Sequence, residues 1–157
     1  MEWLSRTELL LGKEKLALLK AKHVLVVGLG GVGAYCAEML CRAGVGEMTI
    51  VDADTVEITN CNRQLLALHS NLGRAKSEVM AERLLQINPD LILHVYQLYL
   101  RDEETVRILN LASYDYVVDA IDSLSPKVYL IYYALQRNLK VVSAMGAGGK
   151  MNPSLIK

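Results

Sequence analysis

Val24, Leu25, Val26 and Val27 run without a polar interruption into a cluster made of Gly28, Gly30, Gly31 and Gly33. An apolar run this short, closed by glycines, is the pattern of a strand buried on both faces, as in a parallel sheet covered by helices. From Val32 to Arg42 the chain continues with helical spacing. The stretch therefore reads as strand, tight turn and helix start, with Gly28, Gly30 and Gly33 in the G-x-G-x-x-G positions. Glycine is needed where the backbone bends sharply and where a phosphate must come close to the main chain. The free N–H groups and the dipole of the helix start then favour the anion. Nicotinamide, flavin and nucleotide-activating enzymes share this pattern, so the choice among them rests on the rest of the chain.

Alternation continues beyond the turn. Residues 48–51 form a second apolar strand ending in Asp52 and Asp54, and the polar stretch from Thr55 to Gln64 reads as a loop. A helix is expected from Gly73 to Ile87, a strand from Leu91 to Tyr96, and a helix from Asp102 to Ala112 with an acidic first turn. A fourth strand covers Tyr116 to Ala120. Ser125 as N-cap and Pro126 at the first helical position open a helix to about Arg137. Val141 to Ala144 is a fifth strand, followed by Gly146, Gly148 and Gly149. Ahead of the first strand, Ser5 and Glu8 have capping-box spacing before Leu9, and a short helix from Lys13 to Lys20 carries Leu16 and Leu19. The expectation is an α/β, Rossmann-like fold: a mainly parallel sheet with helices on both faces. Residues 1–22 form an N-terminal helical segment and residues 23–157 the nucleotide-binding unit. The end soon after Asn152, Pro153 and Ser154 reads as a chain cut short before a C-terminal half.

Bulk properties narrow the function classes. At 157 residues with 52% apolar content, one core can form without disulfides or metal. Lys plus Arg equals Asp plus Glu at 17 each, so no field draws the chain to nucleic acid or membrane. No stretch approaches the length of a membrane span and no signal-peptide pattern opens the chain. Cys36, Cys41 and Cys61 form no C-x-x-C, which fits reduced thiols in a cytoplasmic protein.

The acidic and glycine-rich segments all follow strand ends, the edge where open parallel sheets bind ligands. Asp52 stands where an acidic residue meets an adenosine ribose, which a NAD-dependent oxidoreductase also satisfies. The loop after it is less suited to that enzyme. Arg63 offers a planar fork of donors for phosphate, Asn60 and Asn62 can fix the loop, and Lys76 can reach back from the next helix as a point charge. Asp54 and Asp122, at the ends of different strands, can share Mg²⁺ with substrate phosphates. Each residue alone also fits a solvated surface or a cap. Together, around one glycine turn, they favour an ATP–Mg²⁺ site.

Gly28, Gly30, Gly31 and Gly33, then Asp52 and Asp54, Asn60, Asn62, Arg63 and Gln64, Lys76, Asp119 and Asp122 match, in order and spacing, the ubiquitin-activating-enzyme-like superfamily (the ThiF/MoeB/HesA adenylating group). The chain most resembles its tRNA threonylcarbamoyladenosine dehydratase branch, on residues 59–64, 87–89, 119–123 with Pro126 and Lys127, and 146–149. Sulfur-carrier activators usually have Gln where this chain has Asn62. The resemblance implies that Asp52 binds the ribose, that Arg63 and Lys76 hold the phosphates, and that Asp122 and Asp54 hold Mg²⁺. It further implies that Asn60 orients the reacting groups, that Gln64 braces the loop, and that Arg6 reaches the triphosphate of the partner subunit in a homodimer. The implied reaction is ATP-dependent adenylation of a carboxylate on tRNA followed by cyclisation. The alternative is adenylation of the C-terminal Gly-Gly of a sulfur-carrier protein, which brings in a sulfur-carrier or cysteine desulfurase system as partner. Cys36 and Cys41 read as helix packing.

Overall fold

The computed structural model describes residues 2–146, 152 and 154. Its centre is a five-stranded, all-parallel sheet in the order β3-β2-β1-β4-β5, with β1 His23–Val27, β2 Glu47–Val51, β3 Ile92–Tyr96, β4 Tyr116–Asp119 and β5 Lys140–Ser143. Every residue of β1 is buried, which is why its run is apolar on both faces. Val24 and Val26 meet α3 (Gly33–Ala43) and α4 (Lys76–Ile87) through Ala34, Ala37, Cys41, Met80 and Leu84. Leu25 and Val27 face α5 (Asp102–Asn110) and α6 (Leu124–Gln136) through Ile108, Leu109, Leu130 and Ala134. The mainly parallel, two-sided α/β arrangement is as expected. Among the described residues no helix is long and apolar enough to cross a membrane.

With strand order 3-2-1-4-5, the chain leaves β1 toward one edge and returns through β4 toward the other. The crevice between the C-terminal ends of β1 and β4 is the topological switch point, where such sheets take ligands. Gly28 closes β1 at that point.

Several boundaries differ from the sequence reading. α4 begins at Lys76, three residues later than expected, because residues before it pair backward: Val56 N–H donates to Arg74 O, Gly73 N–H to Val56 O, and Thr55 bridges Ala75. Gly73, at φ +81°, makes the turn that this pairing needs. α6 starts at Leu124 with Ser123 at its N-cap, so Pro126 is the third helical residue, still inside the turn where a missing N–H costs nothing. The Ser5–Glu8 capping box does not form. Leu4 occupies the N-cap of α1 (Ser5–Leu11), buried against Gly44, and Ser5 lies inside the helix. α2 (Lys13–Lys20) is as read, with Leu16 inward, and Gly44 ends α3 at φ +100°. Cys41 is buried in α3, where loss of water pushes its thiol up to about 11, in keeping with a packing role. Of the last glycine cluster, residues 147–149 lie outside the described residues.

Candidate functional site

The glycine turn divides into two pairs by what each glycine must avoid. A Cβ on Gly28 would sit 2.6 Å from Ala120 O, and Gly28 also holds φ +89°. One on Gly33 would fall 1.7 Å from Gly28 O. These two let the turn fold onto β4 and onto itself. Gly30 and Gly31 meet only ordinary contacts, with Gln64 Nε2 and Arg63 Cγ, each at 3.7 Å. Their missing side chains leave space on the ligand-facing side, bordered by the Asn-Arg-Gln loop.

Asp52 ties the turn to β2. Leu29 N–H donates to its Oδ2 at 2.6 Å and Asp54 N–H to its Oδ1 at 2.8 Å. Burial raises the Asp52 carboxyl above its ordinary value, against the opposing pull of both N–H groups and of the Lys76 ammonium. Each carboxylate oxygen keeps a second lone pair for a ribose hydroxyl.

Lys76, at the first position of α4, is placed by Lys76 N–H donating to Asp54 O at 2.9 Å. Its buried side chain extends to Asp54, donating from Nζ to Oδ2 at 3.0 Å, while Asp54 itself is exposed. Arg63 is exposed and, among the described residues, makes no carboxylate pair. Its Nη1 donates to Thr59 O at 3.1 Å and to Asn62 Oδ1 at 2.9 Å. Asn60 is buried within a capping box: Glu57 N–H donates to its Oδ1 at 3.1 Å, and its backbone O accepts from Arg63 and Gln64 N–H. It thus shapes the loop that presents Arg63. Gln64 is buried beside Gly30, and among the described residues its Oε1 has no hydrogen-bond partner. A buried amide with an unused end, next to the open glycine turn and to Arg63, fits an incoming polar ligand.

Asp122 follows β4, two residues past the Ala120 carbonyl that abuts Gly28. It is exposed, with Ser123 Oγ as its one hydrogen-bond partner among the described residues, at 3.4 Å. Two carboxylates at this edge suit Mg²⁺ beside phosphate oxygens, although Asp54 is held here by Lys76. Arg6 is not brought to the turn of its own chain. Leu4, two residues earlier, packs on Gly44 at the opposite end of α3.

Sequence reasoning missed one buried pair under the site. Lys127 donates from Nζ to Asp119 Oδ2 at 2.6 Å and to Ala144 O at 2.9 Å. Ser143 Oγ–H and Ile121 N–H also donate to the Asp119 carboxylate. The available signal was a carboxylate closing an apolar strand with a lysine in the next helix's first turn. Only folding shows that neither reaches water.

The model of the family described as "ThiF family" matches residues 4–157. The Escherichia coli protein named tRNA threonylcarbamoyladenosine dehydratase is 43% identical over 151 residues, covering 96% of this chain and 56% of that protein. The Bacillus subtilis protein of the same name is 41% identical over 150 residues, covering 96% and 59%. The crystal structure of the E. coli dehydratase, TcdA, in complex with ATP superposes with a TM-score of 0.94 at 42% identity, covering 99% of this chain and 64% of that one. The chain thus spans somewhat over half the length of the curated relatives it matches. With the glycine turn, the strand-end acids and the Asn-Arg-Gln loop all in place, the chain belongs to the ThiF family.

Proposed function

We propose that this chain is the nucleotide-binding part of an ATP-dependent enzyme that adenylates a carboxylate, namely the threonyl carboxylate of N6-threonylcarbamoyladenosine in tRNA. The reading rests on one observation: Arg63 borders Gly31, while Lys76 lies within electrostatic reach of Asp52, the residue that binds Leu29 N–H of the same turn. The names of the relatives and the ATP complex of one of them support it.

The substrate carboxylate oxygen bonds to the α-phosphorus as the bond to pyrophosphate breaks. The acyl adenylate then closes on itself and expels AMP, for a net loss of water. Such a reaction asks the protein for alignment and charge neutralisation and for no nucleophile of its own. The turn N–H groups and the start of α3 face the phosphates. Arg63 exchanges its contacts with Thr59 O and Asn62 for phosphate oxygens. Lys76 exchanges Asp54 for phosphate, which frees Asp54. Asp52 receives the ribose, while Asn60 and Gln64 hold the loop. Asp122 and Asp54 would hold Mg²⁺, which when bound neutralises polyphosphate charge. Arg6 serves the site of the second subunit of a homodimer in the cytoplasm.

Pyrophosphate release with ATP and tRNA carrying threonylcarbamoyladenosine tests the reading, and Lys76→Ala is expected to lower it by ~10²-fold or more. Release only with a sulfur-carrier protein ending in Gly-Gly would move the substrate to that class. Tight NAD binding without ATP binding would overturn adenylation altogether.

A further inference from the structure

At the other end of the sheet, roughly 16 Å from the glycine turn at the rise of a parallel strand, three metal-capable side chains meet on adjacent strands. They are His23 of β1, Glu47 of β2 and His94 of β3. His23 is in register with Glu47, and His94 with Thr49. All project from the face that carries α5 and α6, at the edge of the core. One ligand atom from each lies within 4.8 Å of the others. His94 Nε2 is 2.9 Å from Glu47 Oε1, and His23 Nδ1 is 3.5 Å from the same oxygen.

The groups behind this cluster bear on what it can hold. Tyr114 O–H donates to Ile108 O at 3.0 Å. Thr49 Oγ1 lies 2.8 Å from His23 Nε2, a hydroxyl oxygen that can accept the imidazole proton. In the tautomer that donates from Nε2 to Thr49, the Nδ1 lone pair points at the Glu47 carboxylate. Two acceptors facing each other repel unless a cation stands between them. A histidine whose remote nitrogen donates to an oriented hydroxyl, with its near nitrogen free, is the arrangement that metal-bound histidines use. The Tyr114 ring, 4.7 Å from the His23 ring, holds that imidazole on its other side.

We infer that His23, Glu47 and His94 form a binding site for a divalent transition-metal ion, zinc by its two imidazole nitrogens and one carboxylate oxygen. Ligand atoms around tetrahedral zinc lie roughly 3.3 Å apart for bonds of ~2.0–2.1 Å, close to the 3.5 Å between Nδ1 and Oε1. Magnesium and calcium, which take oxygen ligands, are the wrong class for this set. His94 keeps 43% of its side chain open to solvent, so the ion has an entry path and water a fourth position. The ion would clasp β1, β2 and β3 at the edge opposite the nucleotide.

The test uses tag-free, metal-stripped protein titrated with Zn²⁺ by calorimetry, and with Co²⁺ as an absorbing probe of coordination. The expected result is one Zn²⁺ per chain, a raised Tm, and a Co²⁺ spectrum of low coordination number. Glu47→Gln and His94→Ala, both at partly exposed positions, are each expected to weaken affinity by at least ~100-fold, because loss of an outer-shell partner alone costs 10–100-fold. His69→Ala, in a separate loop, is expected to leave it unchanged. Absence of uptake would overturn the site in favour of a plain hydrogen-bonded cluster. Uptake retained in both variants would overturn it in favour of the cysteines or His69.

Discussion

Replacing Lys127 by Met removes a charge but keeps most of the stem that packs beneath β4 and β5. The Asp119 carboxylate has no exposure and Lys127 only 9%, so water cannot substitute for the ammonium. The variant leaves a buried carboxylate with Ser143 Oγ–H and Ile121 N–H as its remaining donors, and orphans one bond to Ala144 O. Breaking a buried pair from one side costs ~3–5 kcal/mol. For a chain of this size that corresponds to a Tm lower by roughly 6–20 °C. The double variant Asp119→Asn with Lys127→Met removes the stranded charge while the amide oxygen still accepts from Ile121 N–H and the amide nitrogen donates to Ser143 Oγ, whose hydroxyl can turn. It is expected to recover much of the loss, with a coupling of at least ~2 kcal/mol. Urea unfolding of the four proteins of the cycle measures this directly. A Lys127→Met cost below ~1 kcal/mol, or purely additive changes, would refute the claim that a dry ion pair joins β4, β5 and α6. Because Ala120 and Ile121 border Gly28, the single variant is also expected to weaken ATP binding.

Two further outcomes follow from the same geometry. Gly33→Ala places a carbon 1.7 Å from Gly28 O and is expected to destabilise the fold by more than ~3 kcal/mol, whereas Gly30→Ala, with nothing nearer than 3.7 Å, is expected to cost under ~1 kcal/mol while sharply weakening ATP binding; denaturation and nucleotide titration separate the two. Arg83 and Arg42 hold the buried Glu38 carboxyl below its ordinary range, so its contribution is complete above the unfolded value of about 4.3 and is lost as pH falls through the lower folded value; Glu38→Gln should flatten the acid side of a stability–pH profile below about pH 4.3.

What was legible in the sequence was local. β1 could be read because burial on both faces demands an unbroken apolar run. The glycine turn could be read because its sharpest crowding, Gly33 against Gly28 O, lies within six residues. Lys76 was read correctly as a cation near the start of α4, but the start itself was misplaced, since pairing of residues 55–56 with 73–75 is nonlocal and outweighs helical spacing. The capping pattern at Ser5 failed for a similar reason: burial of Leu4 against Gly44 fixes how the chain enters α1. His23 with Glu47 and His94 became visible only once strand order placed them together, and the burial of Asp119 with Lys127 only once α6 folded over the end of β4. Spacings of 24 and 47 residues carry no pattern of their own.

The placement of Leu4 also bears on how a complete site is assembled. Gly44 lies eleven residues past Gly33, so at 1.5 Å per helical residue the end of α3 that anchors the N-terminal segment is roughly 16 Å from the glycine turn. In the proposed homodimer, that distance puts Arg6 with the triphosphate of the other subunit and not with the one on its own chain. In the proposed homodimer, Arg6→Ala and Lys76→Ala are each expected to be inactive. Mixing them after unfolding and refolding gives half heterodimers by random pairing. In each heterodimer one site has both residues intact, Lys76 from one chain and Arg6 from the other. A quarter of all sites is then restored, and pyrophosphate release should return to about one quarter of the wild-type rate. If Arg6 served its own chain, each heterodimer site would lack one residue and the mixture would stay inactive.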